Sequence, residues 1–151
     1  MNPQSTLLTP AARRVLVTGA DGFVGRSVVK ALAQQPGIEA VFAQDVREVP
    51  TDRRVAGVMY QVQDVRAPSL VDSMAAGQID TVVHLASIVT PGKDSNRAFE
   101  YSVDVDGTRN VLNACVHGGV RHVVVSSSGA AYGYHADNPA WLTESDALRG
   151  N

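Results

Sequence analysis

The sequence predicts an α/β fold, in which a doubly wound parallel sheet of about five strands has the order 3-2-1-4-5. Two observations predict it. Short apolar runs alternate with segments of helical period along the chain, as in a sheet covered by helices on both faces. The first run turns through Gly19, Gly22 and Gly25 directly into a helix. With 151 residues, 44% of them hydrophobic, the chain has the size and composition of one globular domain.

Each strand is predicted from a short run of apolar or β-branched residues, and each helix from a period of 3.6 with its end signals. The predicted strands are 14–18, 39–44, 58–62, 81–85 and 120–125. The predicted helices are 23–35, a short helix between Pro68 and Gly77, and a long helix over 94–117. Residues 1–13 are expected to form a flexible tail, and 46–56 a charged loop. Gly107 lies inside the long helix. Its cost of about 1 kcal/mol relative to alanine indicates close packing against a neighbour.

The turn between the first strand and the first helix predicts a binding site for a diphosphate. The first N–H groups of a helix have no intrahelical partner, and the helix dipole adds partial positive charge beside them. Gly19 allows the tight turn, Gly22 lets phosphates approach the backbone, and Gly25 lets the helix pack closely on the strand. Such a triplet is also common in ordinary loops, so the prediction needs support from the rest of the chain.

Polar residues after the other strands support a nucleotide site. Asp45 follows the second strand, where a carboxylate can accept a hydrogen bond from an adenosine ribose hydroxyl. Asp64, Ser87 and Ser126 follow the third, fourth and fifth strands. Because the carboxyl ends of parallel strands meet at one edge of a sheet, we expect one cofactor cleft there. Without a ligand, Asp45 would be a strand-end cap or an ion-pair partner, and Asp64 would cap the following turn.

In combination these motifs resemble the extended short-chain dehydrogenases/reductases, the NAD-dependent epimerases and dehydratases. Residues 18–25 are similar to the family's T-G-x-x-G-x-x-G, 84–87 to its H-x-A-[AG], 104–112 to N-V-x-G-T-x-N-V-L, and 126–133 to S-S-[ST]-x-x-V-Y-G. The resemblance covers nearly the whole chain from Arg14 and implies an NAD(P)-binding Rossmann domain over 14–151. Departures from the pattern include Ser87, which replaces alanine or glycine, and Asp104, which stands where the family usually has asparagine.

The resemblance also implies roles for individual residues. Asp64 and Val65 would flank the adenine, residues 85–87 would lie beside the nicotinamide ribose, and Ser128 would hydrogen-bond the reacting oxygen of the substrate as the catalytic residue. The predicted cofactor-binding residues are Gly19, Asp21, Gly22, Phe23, Val24, Gly25, Asp45, Val46, Arg47, Asp64, Val65, Leu85, Ala86, Ser87, Asp104 and Ser126. No metal site is predicted, because His117, His122 and His135 lack the spacing of metal ligands.

Asp45 also bears on the choice of dinucleotide. A carboxylate on the ribose 2′-hydroxyl repels a 2′-phosphate, which favours NAD over NADP. Arg47, two residues further on, could pair with such a phosphate and leaves NADP as the alternative.

Three reactive side chains are interpreted as packed or supporting groups. His84 is expected to be a packed strand histidine rather than a base, because the sequence places no carboxylate to orient it. Because Cys115 is the only cysteine, an intrachain disulfide is excluded, as is typical of proteins in a reducing cytoplasm. Cys115 is expected to pack on an apolar helix face. Ser128 has no activating histidine nearby, so we expect a hydrogen-bond donor rather than a nucleophile.

The family's Tyr-x-x-x-Lys pair does not occur in the chain, whose only lysines are Lys30 and Lys93. The resemblance places that pair just past Asn151. One interpretation is that the chain is the N-terminal part of a longer oxidoreductase. It would then lack the sixth strand, be inactive by itself and leave apolar sheet surface uncovered. The parent would transfer hydride at a hydroxyl of a sugar, nucleotide sugar or related alcohol; a reductase of steroid or aldehyde type would share the same cofactor half. The other interpretation is a non-catalytic NAD(P)-binding sensor or scaffold protein.

Charge and hydropathy limit the partners. The net charge of −2 argues against a nucleic-acid partner held by bulk electrostatics. No segment resembles a signal peptide or a membrane span, so we expect a cytoplasmic protein with a small-molecule substrate and no membrane partner. The resemblance implies a homodimer of the longer parent through the long helix. The pairs Arg13-Arg14 and Arg53-Arg54 are interpreted as solvated loop charges.

Overall fold

A computed structural model describes residues 13–89 and 96–150. Its five strands are β1 (Arg13–Thr18), β2 (Ile38–Asp45), β3 (Met59–Val62), β4 (Thr81–His84) and β5 (His122–Val125). All pairings are parallel and the order is β3-β2-β1-β4-β5, so the predicted fold class is confirmed. Most of the predicted tail, residues 1–12, lies outside the described residues. Arg13 is already the first residue of β1, so that predicted boundary is one residue late.

The helices follow most of the predicted end signals, but the first helix ends at Ala33, two residues before the predicted end at 35. They are α1 (Phe23–Ala33), α2 (Leu70–Ala76), α3 (Arg97–Tyr101), a π-helix (Ser102–Gly107) and α4 (Thr108–His117). Gly22, Gly77 and Gly118 cap α1, α2 and α4 at the predicted ends. The prediction of one regular helix over 94–117 is wrong in its middle, where a π-helical segment joins α3 to α4. Residues 94 and 95 lie outside the described part of the chain.

The core has one layer on each face of the sheet, because successive side chains of a strand point to opposite faces. β1 is buried on both faces as predicted: Val15 and Val17 are 2% and 0% exposed, and Leu16 is 3% exposed. Val15 and Val17 pack with Val29 of α1, whereas Leu16 packs on the side of α2 and α4. The second layer contains Phe42, Val65, Leu70, Met74, Ile79, Val82, Val111, Ala114 and Cys115.

Cys115 is a packed thiol, as predicted. It is 3% exposed, and burial raises the pKa of its thiol, which disfavours the thiolate that a nucleophile needs.

The strand register brings the carboxyl ends of the strands to one edge of the sheet. Thr18, the last residue of β1, lies opposite Gln44 of β2 and His84 of β4. Asp45 lies opposite Val62 of β3, and His84 lies opposite Val125 of β5. The segments that leave these strands therefore start close together, as the expected cofactor cleft requires.

β5 forms one edge of the described sheet. All four of its residues are exposed, and Val124 has 56% of its surface accessible. None of the helices within 13–89 and 96–150 combines the length and apolarity needed to cross a membrane.

Candidate functional site

A cavity of about 330 Å³ lies at the carboxyl edge of the sheet. Residues at or just after the carboxyl ends of four different strands line it, among them Gly19, Asp45, Val65 and Ala86. The volume is at the lower end of the range for small-molecule sites, roughly 300–1,000 Å³. The sequence motifs of β1 to β4 thus meet at one concave surface.

The glycine turn forms one wall of this cavity. Gly19 has a φ of +68°, in the left-handed region that favours glycine. The Gly22 N–H donates to the Gly19 carbonyl at 3.1 Å, and helix α1 begins at the next residue. The first N–H groups of α1 therefore lie beside the cavity-lining glycines without intrahelical acceptors, which is the arrangement that suits an anion.

Asp45 stands across from this turn and is held by backbone donors. Its Oδ2 accepts from the Asp21 N–H at 3.0 Å, and its Oδ1 accepts from the Arg47 N–H at 3.3 Å. A carboxylate has about four acceptor positions, so these two bonds leave capacity for further donors. Asp45 is thus both a local cap and a cavity-lining acceptor, and it lies within reach of the turn of Gly19 and Gly22.

Asp64 lines the cavity, but its carboxylate is already paired. Arg66 donates from Nη2 to Asp64 Oδ2 at 2.6 Å and from its backbone N–H to Oδ1 at 2.8 Å. These bonds with Arg66 lower the pKa of the Asp64 carboxyl. The Arg66 guanidinium also lies 5.2 Å from the ring centroid of Phe99 and donates to Ser102 Oγ at 2.9 Å. Arg66 therefore ties the end of β3 to α3 and the π-helix.

A second cavity, of about 190 Å³, lies beside the ends of β4 and β5 and shares Ala86 and Ser87 with the first. His84 lines it and is 2% exposed, so the prediction of a packed strand histidine is confirmed. Its Nδ1 lies 2.7 Å from Thr18 Oγ1, and its Nε2 lies 3.0 Å from Thr108 Oγ1. Burial lowers the pKa of His84, partly offset by the negative charge of Asp104.

Asp104 has an ordering role although it replaces the family's asparagine. Its Oδ1 accepts from the Ile88 N–H at 2.9 Å, which ties the segment after β4 to the π-helix. Either a carboxylate or an amide oxygen can accept this bond, so an asparagine at this position could make the same contact.

Only part of the serine motif, residues 126–133, lies at the site. Ser126 lines the second cavity, and its N–H donates to the His84 carbonyl at 3.0 Å. Ser128 lines neither of the two cavities. It is exposed and caps the 3₁₀ turn Gly129–Tyr132, where its Oγ accepts from the Ala130 N–H at 3.2 Å. Its hydroxyl proton is still free to be donated.

Some of the other predicted cofactor residues line the first cavity, and others lie beside it. Val46, Arg47, Leu85 and Ser87 line the first cavity. Four others lie in the turn and first helix beside it rather than in its wall: Asp21, Phe23, Val24 and Gly25. Within the described part of the chain, no three His, Cys, Asp or Glu side chains come together as a group that could hold a metal ion.

Comparison with known proteins agrees with this architecture. The sequence model of the 3-beta hydroxysteroid dehydrogenase/isomerase family matches residues 16–141. The chain belongs to this family. The membership confirms the extended short-chain dehydrogenase/reductase resemblance that the motifs carry.

Individual relatives are also short-chain dehydrogenases/reductases or epimerases by name. A UDP-glucose 4-epimerase of Azospirillum brasilense is 35% identical over 127 residues, which are 83% of this chain and 36% of the relative. The crystal structure of UDP-glucose 4-epimerase from Brucella ovis in complex with NAD is 28% identical, with a TM-score of 0.78 over 93% of this chain and 42% of that one. A short-chain dehydrogenase/reductase superfamily protein from Agrobacterium tumefaciens, with bound NAD, is 33% identical, with a TM-score of 0.70 over 91% of this chain and 39% of that one.

The chain spans between 35% and 37% of the length of the first curated relatives that it matches. More than half of each relative therefore has no counterpart in these 151 residues.

The residues present fit the dinucleotide that is bound in those two crystal structures. A Cβ at Gly19 would lie 2.7 Å from the Ala86 nitrogen, and one at Gly25 would lie 2.1 Å from the Gly19 carbonyl oxygen. Only glycine therefore leaves the turn this compact and keeps its backbone open to a ligand. The same turn faces a carboxylate with unused acceptor capacity, the second feature that a ribose hydroxyl needs.

Two features of the site have no signal in the sequence. Arg53, which is predicted to be a solvated loop charge, has its Nη1 3.1 Å from Oδ2 of Asp21 in the glycine turn. Its neighbour Arg54 is also engaged, since its Nη2 lies 2.9 Å from Oε1 of Glu48. Arg66 has no motif of its own. Its place between Asp64 and Phe99 depends on how a loop and a distant helix approach each other, which periodicity does not predict.

Proposed function

We propose that the chain binds NAD in the cavity at the carboxyl edge of its sheet and supplies the cofactor-binding part of an oxidoreductase or epimerase. The observation that carries this proposal is the position of Asp45 across from the glycine turn, with the Asp21 N–H to Asp45 Oδ2 bond of 3.0 Å joining the two. It gives a donor surface for a diphosphate and an acceptor for a ribose hydroxyl in one cleft.

Most of the predicted residues have a proposed role in this site. Gly19, Gly22 and the first amides of α1 would hold the diphosphate. Asp45 would accept from the adenosine ribose, with the remaining predicted residues of the first cavity around the adenine and the nicotinamide ribose. When bound, NAD would supply a hydride acceptor at C4 of its nicotinamide ring.

The chain's own part in catalysis is binding and orientation. Ser128 would donate a hydrogen bond to the substrate oxygen, and Ser126 and Asp104 would order the segments beside the second cavity. The sequence contains no Tyr-x-x-x-Lys pair to move the substrate proton. We therefore expect no turnover from these 151 residues alone, and we assign activity to a longer parent protein, which we expect to be a cytoplasmic homodimer.

The substrate class is proposed from the relatives. UDP-glucose 4-epimerases among them favour a sugar or nucleotide-sugar hydroxyl, at which hydride is removed and returned. The family model favours a second candidate, the 3β-hydroxyl of a steroid. A sensor or scaffold role gains no support from these relatives, whose names are those of enzymes. Incubating the parent protein and NAD with UDP-glucose or with a 3β-hydroxysteroid separates the two: the first would yield the C4 epimer, the second reduced nicotinamide.

Calorimetric titration of the chain with NAD and with NADP tests cofactor binding. We expect NAD to bind more tightly than NADP. Asp45→Asn should weaken NAD about tenfold to a hundredfold, since hydrogen bonds to a charged group contribute about 1.5–3 kcal/mol. It should also narrow the preference for NAD, because the carboxylate that repels a 2′-phosphate is gone.

Glu48→Gln is the matched control, because it removes a carboxylate of the same loop whose side chain is 77% exposed and paired with Arg54. It should leave both affinities within about twofold, as expected for an exposed pair worth about 0–1 kcal/mol. Absence of binding of either dinucleotide to the unmodified protein would refute the proposed function.

A further inference from the structure

An ion pair joins the loop after β2 to the glycine turn. Arg53 Nη1 lies 3.1 Å from Oδ2 and 3.3 Å from Oδ1 of Asp21, 32 residues away in the sequence. The Asp21 side chain is 9% exposed, whereas the Arg53 side chain is 45% exposed. The carboxylate is therefore nearly enclosed in the turn, and the guanidinium reaches it from the solvent side.

The negative charge of the enclosed Asp21 carboxylate does not suit a turn that is proposed to bind an anion. Asp21 lies between Gly19 and Gly22, in the turn whose free amides suit an anion. Asp45, which accepts from the Asp21 N–H, adds a second negative charge beside the same turn. Two uncompensated carboxylates would repel an incoming diphosphate, and repulsion between partly desolvated charges is stronger than in bulk water.

Among the residues that the structure describes, Arg53 is the cation that contacts the Asp21 carboxylate. Arg47 also lines the cavity, but the bond that it makes with Asp45 is through its backbone N–H. The position and charge of Arg53 therefore decide whether a phosphate group meets one or two net negative charges beside the turn.

We propose that Arg53 is a positioning residue for the cofactor, which neutralises Asp21 so that the glycine turn can accept the diphosphate of NAD. The inference rests on the proposed function. On this proposal the loop over 46–58 contributes to dinucleotide affinity through its charge and is more than a solvated connection between β2 and β3.

A purely mechanical role makes a different prediction. If Arg53 only tethered the loop to the turn, removal of either partner would release the loop, and removal of both would be no better. If Arg53 acts by neutralising charge, Asp21→Asn should restore the affinity that Arg53→Gln has lost. The double variant therefore distinguishes the two roles.

The experiment measures the dissociation constant for NAD by calorimetry at low and high salt, for the unmodified protein, R53Q, D21N and D21N/R53Q. R54Q is the matched control, since Arg54 belongs to the same loop but pairs with Glu48 and the Val49 carbonyl. We expect R53Q to weaken NAD by about tenfold, equivalent to roughly 1.4 kcal/mol, at low salt. The loss should shrink at 1 M salt, where the screening length falls to about 3 Å.

D21N/R53Q should bind within about threefold of the unmodified protein, and R54Q within about twofold, as for an exposed pair. Thermal melting without NAD checks that each variant is folded. If the unmodified protein binds NAD and R53Q matches R54Q, the inference is wrong while the proposed function stands. A double variant as weak as R53Q also overturns it, in favour of the tether. Failure of the unmodified protein to bind NAD overturns both.

Discussion

Gln44 carries a buried amide at the end of β2, one residue before the carboxylate of Asp45. It is 0% exposed, and among the described residues its Oε1 has no hydrogen-bond partner. Its Nε2 donates to the Gln63 carbonyl over a long 3.4 Å. Burial of an amide oxygen without a donor costs about 1–3 kcal/mol, so this position lowers the stability of the fold.

We therefore expect Gln44→Met, which conserves volume, to raise the free energy of unfolding by about 1 kcal/mol. Urea denaturation of the chain measures it. Gln63→Met is the control, because the Gln63 amide donates to Ser69 Oγ at 3.1 Å and its loss should bring no gain. A Gln44→Met variant that is less stable than the unmodified chain would contradict the cost assigned to the unpaired Oε1 atom.

At the scale of single residues, the sequence predicts those features that local geometry dictates. Gly19 and Gly25 could be predicted because a strand that turns at once into a helix leaves no room for a side chain. Asp45 could be predicted because it ends the neighbouring strand. The partners Arg53 and Arg66 could not, because their side chains cross from one loop to another element whose approach is set by tertiary packing.

The long helix shows where an element departs from its sequence period. Apolar residues at helical spacing between Phe99 and Cys115 predict one continuous helix, and the segments α3 and α4 on either side of Ser102–Gly107 are α-helical. A π-helical turn accommodates extra residues without breaking the helix, so the hydrophobic period alone does not indicate it. Here it occurs where Asp104 accepts from the Ile88 N–H and where Gly107 meets Val65. The irregular segment is thus the part that contacts the site.

Gly107 confirms the expectation of close packing and gives a test at this scale. A Cβ there would lie 2.7 Å from Cγ2 of Val65, a β-branched side chain that is 6% exposed and has little freedom to move. Gly107→Ala should gain about 1 kcal/mol of helix propensity but lose about 1–3 kcal/mol to overpacking. We expect a net destabilisation of about 1 kcal/mol, measured by urea denaturation.

Two further variants separate packing from propensity. Gly129→Ala should be nearly neutral, since a Cβ there meets nothing within 4 Å. In a Val65→Ala background, Gly107→Ala should cost less than in the unmodified chain, because the opposing methyl groups are gone. An equal cost in both backgrounds would mean that the Val65 contact does not limit this position.

For the molecule as a whole, strand order and burial on both faces could be predicted from alternation and from the glycine turn. The unprotected edge at β5 agrees with the expectation of uncovered apolar sheet surface: Val123, Val124 and Val125 are all at least 38% exposed. The position of Ser128 could not be predicted, because the motif fixes its neighbours along the chain but not its distance from the cavities. It is exposed outside both cavity walls, so its catalytic role stays a prediction.

His84 connects three parts of the fold and couples its stability to pH. The Leu85 and Ala86 N–H groups donate to Thr18 Oγ1 at 3.3 and 3.4 Å, so the Thr18 hydroxyl proton is best placed to be donated to His84 Nδ1. Nε2 then carries the proton and donates to Thr108 of α4. This network suits a neutral imidazole, because a proton on Nδ1 would face the proton of Thr18.

The sign of the pH dependence follows from the lowered pKa of His84, caused by burial and partly offset by Asp104. The unfolded chain takes up a proton below about pH 6.5, whereas the folded chain resists it to lower pH. The stabilisation is therefore complete above about pH 6.5 and is lost as the pH falls from there toward the folded-state pKa. We expect the free energy of unfolding to decrease between about pH 7 and pH 5, above the range in which the carboxyl groups titrate.

Urea denaturation at a series of pH values, with His84→Gln beside the unmodified chain, measures this slope. The variant should be less stable throughout but should depend less on pH in this window, and His117→Gln separates the share of His84 from that of an exposed histidine. Should His84→Gln not fold, an NMR titration of the His84 imidazole in the unmodified chain answers the same question. A midpoint above about pH 6.5 would mean that the folded state favours the charged ring, and the predicted slope would then have the opposite sign.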